Sequence, residues 1–353
     1  MKKKWIKTGI VFLGAGCWFL ALLFYGETEK KAGCFNAYYD TTVLTRSALS
    51  AFTEQAEQKE SEEQADVLPQ TTGWSMEEMQ SVSSEVREAV TADVWKIAGS
   101  MESFFAGQLA GGSYPWEDDV QGCMVSTALA EKLFGTKNVQ GNRITIAGME
   151  YYIRGCVKNG SIFAAVRAEE EEGLNGIFLE YGEKSKPASS AQSLLMQMTG
   201  KEANGFFEGN LYSALARAIV SLPLWILFFV YIRNGYRQLN RISGSGIRFL
   251  AKMLVAGAIC GMTAAGLAWT FRFSGDYLPA MWSDMGFFPR LIAEKREMFR
   301  ELQRCLLCPG DAGFFSDLKN TILFTGLTVL AEMIFVSSGS PKQMESRKDG
   351  RES

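Results

Sequence analysis

Histidine is missing from all 353 residues. With it go the side chain that titrates near neutral pH, the commonest general base and the commonest metal ligand. No nucleophile stands beside a base, so the sequence offers no constellation for hydrolysis; no catalytic, cofactor-binding or metal-binding residue is assigned. A G-x-x-x-x-G-K-[ST] phosphate loop is also lacking, and the nearest fragment, residues 176–184, has the wrong spacing. Any nucleotide hydrolysis must therefore come from a partner. Cysteine is sparse, with seven in the chain. Cys305 and Cys308 have C-x-x-C spacing, but no second pair or histidine accompanies them, so they read as small apolar fillers. The acid run Glu169, Glu170, Glu171 and Glu172 reads as a solvated loop. Nothing in the pattern points to nucleic acid.

What is present is apolar sequence, unevenly spread. Residues 8–26 and 253–271 contain no charged side chain; 211–232 contains only Arg217, and 321–338 only Glu332. At 1.5 Å per residue, each run is about long enough to cross a hydrocarbon core of roughly 30 Å. Four transmembrane helices are predicted at these positions. Lys2, Lys3, Lys4 and Lys7 precede the first run, and Arg233, Arg237, Arg241, Arg248 and Lys252 lie between the second and third, both without an acid. The positive-inside rule puts these two segments in the cytoplasm. Residues 27–210 carry 28 acids and 15 bases, a net of −13, and are expected outside.

The expected organisation is a cytoplasmic start (1–7), span 8–26, an outer α+β domain (27–210) and span 211–232. A basic cytoplasmic loop (233–252), span 253–271, a second outer segment (272–320), span 321–338 and a cytoplasmic tail (339–353) complete it. The fold class is thus an α-helical membrane protein with four transmembrane helices plus an α+β extracytoplasmic domain. A signal peptide competes for the first run. However, Phe24-Tyr25-Gly26-Glu27 offers no small-residue cleavage site, and Cys17 lies mid-span, so an uncleaved anchor is expected. Cys34, Cys123, Cys156, Cys305 and Cys308 would face out; five is odd, which excludes a complete disulfide framework there.

In the outer domain, residues 53–70 read as a loop or a solvated helix. Residues 92–98 read as a strand and residues 111–115 as a turn. Cys123, Met124 and Val125 form a short apolar strand. Ser126 is placed to cap a helix carrying Ala128, Leu129, Leu133 and Phe134, which Gly135 ends. Ile144 and Ile146 alternate with polar neighbours, Ala147-Gly148 turns the chain, and Tyr151, Ile153 and Val157 face one way. Strands at 162–166 and 177–181 and a helix at 191–198 follow. Residues 92–200 are expected to fold on their own. In the second outer segment, Leu291, Met298, Leu302 and Cys305 share one helical face. This helix lies in the membrane interface or packs on the outer domain, and Trp282, Phe287 and Phe288 suit an interface.

The stretch Cys123-Met-Val-Ser-Thr-Ala-Leu-Ala-Glu-Lys-Leu-Phe-Gly135, then Val139-Gln-Gly141, Ile144-Thr-Ile-Ala-Gly148 and Tyr152-Ile-Arg-Gly155-Cys-Val157, resembles the extracytoplasmic core domain of FtsX/MacB-type ABC transporter permeases. Cys156 between Gly155 and Val157 departs mildly from that pattern. The motifs cover about 35 residues; the order of one span, a large outer domain and three spans extends the likeness over the chain. The resemblance implies a permease that transmits motion across the membrane for export or envelope remodelling, driven by a separate cytoplasmic ABC ATPase. It implies a homodimer or pairing with a similar permease. The second outer segment is longer than that family's usual loop. The alternative is a membrane-anchored sensor or scaffold that binds an envelope protein.

Candidate sites follow from position. Arg233, Arg237 and Arg241 couple to the ATPase, or serve only orientation and lipid headgroup contact. Arg217 and Glu332 are intramembrane ionisable groups, functional or snorkelling, at opposite depths and not expected to pair. Gly257 and Gly261 form a small-x-x-x-small pair for helix packing.

Overall fold

The computed structural model describes residues 2–63, 68–105, 108–182, 187–239, 245–272, 274–279, 281 and 283–338. The chain divides into a helical unit (residues 1–30, 211–273 and 314–353) and a sheet unit (31–210 and 274–313).

The elements run α1 (Lys2–Lys30), β1 (Cys34–Tyr38), β2 (Leu44–Thr45), α2 (Arg46–Glu63), β3 (Gln70–Ser84), β4 (Val90–Ala98), α3 (Met101–Phe105) and β5 (Leu109–Gly112). Then come β6 (Gly122–Ser126), α4 (Thr127–Phe134), β7 (Arg143–Ile146), β8 (Met149–Val157), β9 (Phe163–Arg167), β10 (Gly173–Leu174) and β11 (Gly176–Glu180). The chain ends with α5 (Ala188–Thr199), β12 (Gly205–Glu208), α6 (Gly209–Leu239), α7 (Ser245–Thr270), α8 (Phe287–Arg304) and α9 (Pro309–Ser338).

The sheet runs β12-β1-β11-β3-β4-β9-β6-β8-β5, with β7 bridging β3 and β8. That bridge closes β3, β4, β9, β6, β8 and β7 into a ring. β3 serves both parts: its first half pairs with β11 and its second half with β7, on either side of a bulge between Glu77 and Gln80. At that bulge Met79 takes a positive φ of 55°, and its N–H donates to the Asp93 carboxylate. Inside the ring lie Val82, Val94, Val125, Leu129, Leu133, Ile144 and Ile153, all buried. A second core gathers Phe35, Leu49, Leu179, Ala191 and Leu195 around β1, β11 and α5.

Local signals place the best-formed piece. The Ser126 hydroxyl accepts from Leu129 N at 3.1 Å, and Gly135 ends α4 at φ 73° with its N–H on the Glu131 carbonyl. An L side chain at Gly135 would be strained by that φ. Ala147 and Gly148 both take positive φ, the geometry that lets a two-residue turn match the twist of β7 and β8. Leu129, Leu133, Ile144, Ile146 and Ile153 are buried, and Ala128 and Phe134 are partly so.

Several expectations are corrected. Residues 53–70 divide between α2, which starts earlier at Arg46, and β3, which starts at Gln70. Residues 92–200 omit β1, β3 and β12; β3 joins β11 to β4, so that fragment lacks a central strand. The acid run is not wholly solvated: Glu172 pairs with Lys96 at 2.9 Å, and Glu77 pairs with the same ammonium at 2.6 Å.

Among the described residues, four helices are long and apolar enough to cross a membrane: Thr8–Lys30, Gly209–Gly235, Lys252–Thr270 and Pro309–Ser337. Residues 309–320, expected in an outer segment, are the first turns of α9. Phe24 stacks on Phe324 at 5.7 Å, and Trp18 Nε1 donates to the Val220 carbonyl at 3.1 Å. The Trp225 indole fills the space over Gly266, where a Cβ would stand 3.0 Å from it, and donates to Thr270 Oγ1 at 3.1 Å.

Leu133→Ala should remove on the order of 2–5 kcal/mol from the sheet unit, because the side chain is fully buried against a closed ring that has little room to collapse. Pulse proteolysis of the full chain in urea measures it; a change below about 0.5 kcal/mol would contradict this packing.

Candidate functional site

The sheet unit is built where its chain enters and leaves. α1 ends at Lys30 and β1 starts at Cys34; β12 ends at Glu208 and α6 starts at Gly209. β1 and β12 pair antiparallel, Phe35 opposite Glu208 and Tyr38 opposite Gly205. A Cβ at Gly209 would collide with the Lys31 carbonyl oxygen and stand 2.7 Å from that of Cys34, so only glycine lets these backbones approach. Lys31 Nζ in turn donates to the Gly310 carbonyl at 2.5 Å.

The next residue, Asp311, is 1% exposed in the first turn of α9. Its Oδ2 accepts from Tyr38 OH at 2.6 Å and from Asn36 Nδ2 at 2.8 Å, both on β1. Asn36 Oδ1 accepts from Trp74 Nε1 of β3 at 3.0 Å, and Trp74 packs edge-on against Trp95 of β4. Cys308 N donates to Tyr38 OH at 3.2 Å. A buried carboxylate without donors would be costly; here two side chains oriented by one strand supply them.

A second knot holds α8. Glu208, 2% exposed on β12, pairs with Lys295 at 2.5 Å and accepts from Tyr277 OH at 2.7 Å. Lys295 also lies 5.6 Å from the Tyr277 ring centroid. Of the face expected for α8, Leu302 is buried and Leu291, Met298 and Cys305 are partly so, turned toward β12. Of the two alternatives for this helix, packing on the sheet unit is the one observed for that face. Trp282 lies outside the described residues.

The residues singled out from sequence are spread apart. Arg217 Nε donates to Tyr25 OH at 2.9 Å, Nη2 lies 3.4 Å from Glu29 Oε1, and Nη1 donates to the Arg272 carbonyl at 3.3 Å. It is a tie between α1, α6 and the end of α7. Glu332 lines a mostly apolar cavity of about 300 Å³ with Ile10, Trp18, Leu227 and Phe335, and its Oε2 has no partner among the described residues. Gly257 and Gly261 are exposed, with nothing within 4 Å of a Cβ at either, so the pair packs on no other helix among the described residues. Gly266, which sequence reasoning passed over, makes the close helix contact instead. Arg233 is exposed near the end of α6, Arg237 lies in its last turns, and Arg241 lies outside the described residues. Burial pushes the thiols of Cys34, Cys123, Cys305 and Cys308 up, and that of Cys156 to about 11, opposite to an activated thiolate.

Sequence reasoning missed both knots. Asn36, Tyr38, Glu208, Lys295 and Asp311 come from four segments, and only the polar positions inside the otherwise apolar strands β1 and β12 hint at them.

No known protein family and no curated protein matches the sequence. Solved structures do match by shape. The periplasmic region of MacB from Actinobacillus actinomycetemcomitans is 14% identical with a TM-score of 0.38, covering 50% of this chain and 87% of that one. The extracellular domain of the noncanonic ABC-type transporter YknZ from Gram-positive bacteria is 15% identical with a TM-score of 0.36, covering 49% of this chain and 97% of that one.

Asp311→Ala should destabilise the full chain by about 1–3 kcal/mol, because Asn36 Nδ2 and Tyr38 OH lose a buried acceptor. Tyr38→Phe should cost less. The double variant should melt close to Asp311→Ala alone, since both changes break one network. Melting of the three proteins in the same detergent tests this; additive losses would show that the groups are not coupled.

Proposed function

We propose that this chain is a permease-like subunit of an ABC-type system, a homodimer or paired with a similar chain. A separate cytoplasmic ATPase drives it, and it passes motion to the sheet unit outside the membrane. The observation that carries the proposal is the join just described. β1 continues from α1, β12 continues into α6, and the first turn of α9 is fastened to β1 by Asp311 and Lys31. Movement of any of these three helices therefore acts on one strand pair. The resemblance at residues 123–157, the four apolar helices and the absence of a phosphate loop support the same reading.

In this reading the basic connection after α6 meets the ATPase, and Arg233, Arg237 and Arg241 supply the contact. The face of α7 around Gly257 and Gly261 is open for a second permease chain, as close-packed helix pairs require small residues. Export or envelope remodelling is the work done; the lipid bilayer and an envelope protein are the remaining partners.

Topology is tested by single cysteines in a cysteine-free background. An impermeant reagent should leave a cysteine at Ser243 unlabelled in intact cells and reach one at Ser161. Labelling at Ser243 would overturn the orientation.

Coupling is tested by replacing Arg233, Arg237 and Arg241 together with Gln and purifying in mild detergent. If topology is retained, the co-purifying ATPase should fall or lose its stimulation by this chain. Unchanged association and stimulation would leave these arginines only orientation and lipid contact. Failure to capture any ATPase by cross-linking in cells would favour the sensor or scaffold alternative.

A further inference from the structure

The sheet unit carries a cleft of about 490 Å³, bounded by α2, the start of β3, the end of β4 and α5. Leu49, Phe52, Ala56 and Leu194 make its apolar wall, and Arg46, Arg167 and Glu117 its charged part. Arg167 is 5% exposed. Its Nη1 donates to the Gly99 carbonyl and its Nη2 to the Trp116 carbonyl at 3.0 Å, while Nε has no partner among the described residues. Arg46 uses Nη1 on the Ala168 carbonyl at 2.7 Å and is half-buried. Of five N–H donors on each guanidinium, few are engaged.

Neither arginine forms an ion pair among the described residues, in a unit where several other cations find carboxylates. Lys96 has Glu77 and Glu172, Arg143 has Glu85 and Glu150, Arg154 has Asp119, and Lys295 has Glu208. Burial pushes the Arg167 guanidinium below its ordinary value; the Glu117, Asp118 and Asp119 carboxylates oppose that shift, and the Arg46 charge adds to it. A buried cation held by carbonyls alone is a costly arrangement. In a segment of net −13, two such groups facing one cleft are a feature that surface charge does not explain.

We propose that this cleft binds an oxyanion, a carboxylate or phosphate group borne on a short apolar chain, held between Arg46 and Arg167. The planar guanidinium fork matches both anions; among the cleft's lining residues two are guanidiniums and Glu117 is the one carboxylate, while Asp118 and Asp119 act on Arg167 from outside the lining. The apolar wall takes the chain. The site is independent of ATPase coupling.

Isothermal titration of the full chain in lipid nanodiscs tests it, with butyrate, monobutyl phosphate, acetate and inorganic phosphate as probes. Butyrate or monobutyl phosphate should bind, each more tightly than its counterpart without the chain, and their comparison tells which oxyanion the site prefers. Arg46→Gln should weaken binding about tenfold or more, as loss of a charge-assisted contact does. Glu117→Gln, a change at an exposed side chain, should tighten it. Equal binding of acetate and butyrate would overturn the role of the apolar wall. No heat with any probe, or binding that both variants leave unchanged, would overturn the site and leave the two arginines as clips for the carbonyls of Gly99, Trp116 and Ala168.

Discussion

One buried carboxylate organises the edge of the sheet unit where β1 meets the first turn of α9. Asp311 occupies a position where a charge has no water, and it is accommodated only because Asn36 and Tyr38 present donors from the same face of β1. Asn36 spends its other side-chain atom on Trp74, so the carboxylate's position is tied through β1 to β3 and from there to the aromatic cluster at β4. Polar networks of this kind tolerate little: each member has its partner, and shifting one strand would strand several groups at once. That property makes this part of the sheet unit rigid. Glu208, Lys295 and Tyr277 repeat the arrangement one strand away, and Gly209 lets the backbones of β12 and β1 meet without a side chain between them.

Charge is handled differently across the sheet unit. Its acids are numerous, and Lys96, Arg143 and Arg154 each draw one or two of them. The exposed pairs of Arg143 add little stability, and they chiefly set which surface groups are spoken for. Arg46 and Arg167 instead donate to main-chain carbonyls, as Lys31 and Arg87 also do. A carbonyl satisfies a donor without neutralising it.

The helical unit shows why ionisable groups in apolar runs are hard to interpret one at a time. Arg217 was legible as unusual from sequence, but its partners were not: Tyr25 lies on another helix and Arg272 contributes a main-chain oxygen. The small-residue rule identified Gly257 and Gly261, which meet nothing among the described residues, and passed over Gly266, which meets Trp225. Spacing tells which residues share a face of a helix; it does not tell which face finds a neighbour.

Local rules carried the sequence a long way in the stretch from Gly122 to Val157. A capping serine, a glycine in the left-handed region, alternating isoleucines and a two-residue turn each act within a few residues, so the sequence by itself determined β6, α4, β7 and β8. The four apolar helices were determined in the same way, since length and the scarcity of charge suffice. β1, β3 and β12 escaped because their apolar and polar residues are buried on both faces or change neighbours along their length, which erases the alternation that marks a strand. Nothing in the sequence singles out Asp311 or Arg167. Only the tertiary structure decided that one is enclosed by donors and the other left without a carboxylate, because burial and partnership are set by segments brought together from far apart in the chain.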